Sequence, residues 1–145
     1  MLMHMDASVE LTVEQCWELL ESNVLGRLAY RLVDEFHLVP VNYVVDNRSL
    51  LIRTGSGNKL LAAALQSDVA FEIDWHDDRE AWSVVARGRL RRLADGERRR
   101  ADNHTEWTWV TTPKDDVIEL LPDVVTGRRF RLQVPEADHQ GARTW

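Results

Sequence analysis

Cysteine is nearly absent from this sequence: Cys16 is the single one among 145 residues, which excludes an internal disulfide. Long apolar runs are also missing, since no stretch approaches the roughly 20 residues that a membrane-spanning helix needs. Residues 1–6 lack the basic region followed by an apolar core that marks a secretion signal. Together these absences predict a cytoplasmic protein without a membrane partner.

Reactive side chains in familiar arrangements are scarce. The sequence has no Gly-x-Ser-x-Gly motif, no pair of histidines at helical ligand spacing and no second cysteine. The acidic stretch 74–78 falls in an expected hairpin turn, so we predict no metal site there. Cys16 has no base or cation nearby in sequence and is expected to pack in the core. Catalytic residues stay unassigned, and any difficult chemistry would fall to a cofactor.

Negative charge is in excess. The net charge of −6 gives no general attraction to nucleic acid or to an anionic membrane. Basic residues concentrate in one part of the chain, at Arg87, Arg89, Arg91 and 98–100. This pattern favours a solvated face paired with acidic residues. The alternative is polyanion binding with stacking on Trp107 or Trp109, but no nucleic-acid motif supports it, and we predict no nucleic-acid partner.

Helix and strand signals divide the chain into short elements. A first helix is predicted from Thr12, which forms a capping-box pattern with Gln15, while Leu11 and Cys16 have the spacing of a hydrophobic staple. Further helices are expected after the turn at 55–59 and over 97–104. Seven segments resemble strands: Gly26–Val33, Phe36–Asp46, Ser49–Thr54, Val69–Trp75, Ala81–Leu93, Val117–Leu121 and Thr126–Val134.

The order of these elements predicts a mainly β fold. Short turn-like links at 34–35 and 46–48 indicate antiparallel hairpins. Many short strands with few helices favour a small antiparallel β-barrel with helices packed outside it or over its ends. At 145 residues the chain is expected to form one domain, with residues 1–8 and 135–145 mobile.

The run from Arg53 to Lys59 joins an apolar segment to a helical one through a glycine-bearing turn. A cation in the first turn of a helix meets the positive end of the helix dipole, and Arg53 adds a second cation. A phosphate would resolve this conflict by binding both cations, the turn amides around Gly57, and the hydroxyls of Thr54 and Ser56. A solvated loop with two surface cations is the alternative.

Pro40 interrupts an otherwise strand-like run at 38–44. Proline cannot donate a hydrogen bond to a ladder, so the strand is expected to have an edge, a bulge or a break there. Either this is an ordinary edge strand, or the free backbone faces a ligand.

Five blocks in order carry a resemblance to a known family: Val24–Ala29, Val39–Asp46, Leu51–Leu60, Val69–Asp74 and Trp82–Gly88. They resemble the pyridoxamine 5′-phosphate oxidase-like family of flavin-binding split barrels, most of all its short actinobacterial branch. The resemblance covers about residues 10–132. It implies a six-stranded antiparallel split β-barrel with flanking helices, and a homodimer that binds FMN at its interface.

The resemblance also implies which residues contact FMN. The phosphate is assigned to Arg53, Thr54, Asn58 and Lys59. The isoalloxazine ring is assigned to the backbone of Val39, Pro40, Val41 and Asn42, with Ser83 as a polar contact and Trp82 on the ring or across the interface. His37, on the same strand, is expected to be satisfied within the strand rather than to donate a proton.

The implied activity is that of an FMN-dependent oxidoreductase on an unknown small molecule, with hydride passing between a nicotinamide donor and the substrate. The arginine and histidine segment that holds pyridoxal phosphate in classical oxidases has no match here, so that substrate is not expected. The alternative is a protein that binds a flavin, a deazaflavin or haem without turnover.

Overall fold

The computed structural model of the protein describes residues 5–54, 65, 67–104 and 116–132. Predictions that fall on 55–64 and 133–145 therefore lie outside the described residues. The elements are β1 (Met5–Glu10), α1 (Val13–Glu21), β2 (Leu25–Leu32), β3 (Glu35–Asp46), β4 (Ser49–Thr54), β5 (Asp68–His76), β6 (Glu80–Arg92), a short 3-10 helix (Asp95–Glu97), α2 (Arg99–Asp102) and β7 (Asp116–Leu132).

Six antiparallel strands form a closed ring. The strand order is β7-β4-β3-β2-β5-β6, and pairing of β6 with β7 closes it. The long β7 gives one edge to β6 and shares its other edge between β4, which pairs with residues 116–120, and β1, which pairs with residues 128–132. This arrangement confirms the predicted antiparallel split barrel.

Two stretches differ from the prediction. Residues 5–8 were expected to be mobile, but Met5–Glu10 forms β1, because β7 extends far enough to pair with it. The two last predicted strands are one strand, β7, which passes through Pro122. Pro122 lies opposite Gly88 at a register shift, and a bulge tolerates the missing donor of proline.

The barrel interior is the main hydrophobic core. Its largest fully buried side chains include Tyr43, Phe71 and Leu28, and α1 adds Cys16 and Leu20. Cys16 has no exposed surface, and burial raises the pKa of its thiol, which agrees with the predicted packing role. None of the helices in the described part of the chain has the length and apolar character needed to span a membrane.

The start of α1 is fixed by local sequence, as predicted. The backbone N–H of Gln15 donates to Thr12 Oγ1 at 3.1 Å, and the N–H of Thr12 donates to Gln15 Oε1 at 2.9 Å. This reciprocal pair satisfies two amides that the helix itself leaves unpaired.

Replacement of Thr12 by alanine is expected to lower the free energy of unfolding by about 1 kcal/mol, because the cap acceptor is lost. Urea denaturation followed by tryptophan fluorescence measures the change. Thr12→Ser retains the hydroxyl and serves as the matched control. Equal denaturation midpoints for Thr12→Ala and Thr12→Ser would contradict the capping role.

A second apolar cluster lies on the outside of the barrel wall made by β3, β4 and β7. It consists of Val44, Leu51, Leu93, Ala101 and Val117. Ala101 comes from α2, so this cluster packs α2 against the wall. The wall thus carries the core on its inner face and α2 on its outer face.

Candidate functional site

The β3 strand has one open edge. It pairs with β2 along residues 35–42, but with β4 only along residues 43–46. On the β4 side, Val39–Asn42 therefore faces no strand within the described part of the chain. A strand edge without a partner strand is a place where a ligand can approach the backbone. Pro40 is exposed and lies in this edge segment, which is one of the arrangements predicted from its sequence.

The side chains of this edge segment differ in burial. Val41 and Asn42 are buried, whereas Pro40 is exposed. The Asn42 amide donates to the carbonyl oxygen of Val24 at 2.6 Å, which ties β3 to the start of β2. A cavity of about 290 Å³ lies beside this point, lined by Glu21, Asn23, Val24, Tyr43, Val44 and Val45.

Arg53 and Thr54 end β4 next to this open edge. The last β3–β4 pair is Tyr43 with Ile52, so Arg53 is the first β4 residue beyond the β3–β4 ladder. The Arg53 side chain is only 14% exposed, and its Nη2 is 3.6 Å from Asp102 Oδ1. Sequence analysis missed this carboxylate, which α2 supplies from 49 positions further along the chain.

The structure therefore brings together two of the predicted groups, the β3 edge and the end of β4. The remaining phosphate contacts, Ser56, Gly57, Asn58 and Lys59, lie outside the described residues, and their placement stays a prediction.

Trp82 and Ser83 lie elsewhere in the ring. They are on β6, paired with Trp75 and Asp74 of β5, and β6 stands opposite β3 in the six-stranded order. They border an apolar slot of about 300 Å³, lined by Asp74, Trp75, His76, Ala81, Trp82, Ser83, Phe130 and Leu132. Three interstrand steps, about 14 Å along the sheet, separate β6 from β3. Within the chain, these residues are not neighbours of the open edge.

His37 and the acidic turn have local roles. The His37 ring stacks on Tyr30 with 5.1 Å between centroids, and its Nε2 is 3.3 Å from Glu35 Oε1. In the turn between β5 and β6, the Asp77 carboxylate accepts from the backbone N–H groups of Arg79 and Glu80 at 2.7 and 2.8 Å. These hydrogen bonds lower the pKa of Asp77. The described residues contain no group of three or more His, Cys, Asp or Glu arranged to hold a metal.

A buried carboxylate organises the outer wall, and sequence reasoning missed it. Glu119 on β7 is 2% exposed and accepts hydrogen bonds from Ser49 at 2.5 Å, from Arg91 at 2.9 Å and from Arg100. Burial raises the pKa of Glu119, but the bonds from Arg100 and Ser49 outweigh it and hold the pKa below its ordinary value. The sequence did contain one indication of this buried carboxylate, because Glu119 is a charged residue inside the apolar run Val117–Leu121.

Three arginines of the basic concentration, Arg89, Arg91 and Arg100, are paired with acidic residues, as the sequence predicted. Arg91 forms two hydrogen bonds with Glu97, and Arg100 donates to Asp46 at 2.8 Å. His104 Nε2 lies 3.1 Å from the other Asp46 oxygen. These pairs connect α2 and the 3-10 helix to the barrel.

A closed six-stranded ring with an open β3 edge defines the antiparallel split-barrel class. The sequence model of the family described as pyridoxamine 5′-phosphate oxidase matches residues 12–129. The chain belongs to this family, as the resemblance implied.

Individual relatives agree with this assignment. An uncharacterised protein of Mycobacterium tuberculosis is 38% identical over 96 residues, which are 66% of this chain and 86% of that one. The FAD binding protein of Mycobacterium smegmatis is 39% identical with a TM-score of 0.73, covering 84% of this chain and 97% of that one. A FAD-binding protein of Mesorhizobium loti is 25% identical with a TM-score of 0.70, covering 84% and 97%.

Proposed function

We propose that the protein binds FMN and acts as a flavin-dependent oxidoreductase on a small molecule. The observation that carries this proposal is the open edge of β3 at Val39–Asn42, which lies beside the end of β4 at Arg53 and Thr54. The edge offers strand backbone to a heterocyclic ring, and the strand end offers a cation and a hydroxyl to a phosphate. The residues present therefore fit a flavin nucleotide, and the similarity to a FAD binding protein supports a flavin.

The chain would bind and orient the cofactor. The backbone of Val39–Asn42 would hydrogen-bond the ring edge and fix its plane. Arg53 and Thr54, with the predicted contacts of 56–59, would hold the phosphate. A bound flavin supplies hydride transfer, which the side chains of the chain do not.

A second copy of the chain would complete the site. The β2–β3 hairpin exposes Val33, Phe36 and Leu38 at 86%, 83% and 68% of their surfaces. Exposed apolar residues so close together are typical of a protein interface. Because Trp82 and Ser83 lie opposite β3 within one protomer, a homodimer would let a partner's β6 reach the open edge of the first copy.

Binding without turnover is the second candidate function. Its support is that the ring of His37, the one histidine on the ring-side strand, stacks on Tyr30. Anaerobic addition of NADH or NADPH separates the two, since an oxidoreductase loses its visible flavin absorption and a storage protein does not. The absorption spectrum of the purified protein also distinguishes FMN from a deazaflavin or haem.

Arg53→Ala is expected to weaken FMN binding about 10- to 100-fold, because a charge-assisted contact is worth about 1.5–3 kcal/mol. Riboflavin lacks the phosphate, so its affinity is expected to stay unchanged. Quenching of flavin fluorescence during titration measures both Kd values.

Arg48→Ala is the matched control, since Arg48 is an arginine at the opposite end of β4 and pairs with Glu14 in solvent. Equal FMN affinity of Arg53→Ala and the unaltered protein would overturn the phosphate assignment. Failure of the unaltered protein to take up any flavin would overturn the proposed function itself.

A further inference from the structure

The short helix α2 is held on the barrel wall by two adjacent residues. Arg100 donates to Asp46 at 2.8 Å and also bonds the buried Glu119. Ala101 has no exposed surface and packs in the outer apolar cluster with Val44 and Leu51. Because these two residues anchor the helix, the next residue, Asp102, has a fixed position on the wall.

That place is the candidate phosphate corner. Asp102 Oδ1 lies 3.6 Å from Nη2 of Arg53. The two side chains differ in exposure, since Arg53 is 14% exposed and Asp102 is 64% exposed. Arg53 is thus largely withdrawn from water, whereas the carboxylate remains hydrated. Asp102 can give up this contact without burying its charge, so a second anion can replace it at low cost.

We propose that Asp102 is a built-in anion that competes with the cofactor phosphate for Arg53, and that it thereby limits how tightly the site holds phosphorylated flavins. This inference rests on the proposed function. Without cofactor, the carboxylate neutralises Arg53. With cofactor, the phosphate shares or takes over Arg53, and the nearby negative charge of Asp102 opposes it.

The competition predicts that removing the charge of Asp102 strengthens FMN binding. Asp102→Asn keeps the size of the side chain and removes its charge, so FMN is expected to bind about two- to fivefold more tightly at low salt. Riboflavin, which carries no phosphate, is expected to bind equally to both proteins. Added salt is expected to reduce the gain, because it screens exposed charges. Fluorescence titration with FMN and with riboflavin measures these changes.

Asp95→Asn is the matched control. Asp95 is an exposed aspartate of the neighbouring 3-10 helix. The substitution Asp95→Asn therefore changes the net charge of the protein by the same amount as Asp102→Asn but leaves the Asp102–Arg53 contact in place. Its FMN affinity is expected to match that of the unaltered protein. In an Arg53→Ala background, Asp102→Asn is expected to give no gain, because the competition acts through Arg53.

The outcomes separate this inference from the proposed function. If Arg53→Ala weakens FMN binding but Asp102→Asn leaves it unchanged or weakens it, the competition is wrong and the phosphate site stands. A gain of the same size in Asp95→Asn would also overturn the competition, since it would reflect net charge alone. If the unaltered protein binds neither flavin, both proposals fail. Thermal melting of each variant confirms that it is folded.

Discussion

Gly88→Ala is expected to lower the free energy of unfolding by about 3 kcal/mol, because the added carbon has no space. A Cβ atom at this position would lie 2.0 Å from the carbonyl oxygen of Leu121 and 2.8 Å from Cα of Pro122. Both neighbours are backbone atoms of β7, so no side-chain rotation relieves the clash. The strands β6 and β7 would have to separate at the bulge, where their pairing closes the ring.

Urea denaturation compares Gly88→Ala with Gly96→Ala. Gly96 lies in the 3-10 helix, and a Cβ atom there meets nothing within 4 Å. The control is expected to stay within about 0.5 kcal/mol of the unaltered protein, as surface substitutions do. Similar midpoints for the two variants would show that the close approach of β6 and β7 is not required for stability.

Glu119→Gln is expected to lower the free energy of unfolding by about 2–3 kcal/mol at pH 7. The amide cannot neutralise two arginines, and it turns a donor toward groups that also donate. Arg91 and Arg100 are 34% and 29% exposed, so water relieves part of the penalty. Glu14→Gln is the control, because Glu14 pairs with Arg48 at a position where the carboxylate is 74% exposed. Loss of that pair is expected to change stability by less than about 1 kcal/mol.

The pH dependence of the free energy of unfolding also tests the role of Glu119. Arg100 and Ser49 hold the pKa of Glu119 below the ordinary glutamate value of 4.5. A carboxyl with a depressed folded-state pKa contributes its full stability above the unfolded-state value, and this contribution disappears as the pH falls through the folded-state pKa. The difference between the unaltered protein and Glu119→Gln is therefore expected to be constant near neutral pH and to shrink below about pH 4.5. A difference that persists unchanged in acid would contradict this assignment.

Features set by neighbouring residues were predictable from sequence. The Thr12–Gln15 capping box and the turn at Asn47 and Arg48 both form as expected, and these two turn residues have positive φ angles of 52° and 64°. The first hairpin turn was placed one residue too late, because Val33 and not Glu35 occupies it. Val33 has a positive φ of 55°, which is uncommon for a β-branched residue. Residue preferences for turns therefore did not predict that Val33 lies in the turn.

Features set by distant residues were not predictable. Glu119 meets Ser49 from 70 positions away, and only the completed barrel brings them together. The contact between Asp102 and Arg53 likewise depends on the completed fold. It shows that Arg53, which the sequence assigned to a phosphate, already has a carboxylate beside it. The β3 edge was predictable in part, since Pro40 indicated a strand with an unpaired side. Which strand would be missing beside it depended on the register of β3 with β4.

The final strand of the ring also has a consequence for the order of events during synthesis. Because β7 pairs with β1, β4 and β6, three ladders stay incomplete until residues 116–132 have left the ribosome. Until then, β4 and β6 expose ladder edges that can associate with other chains. Ladders between segments so far apart in sequence also form slowly. Synthesis of β7 is therefore the step that covers the edges of β4 and β6, since β7 pairs with both strands.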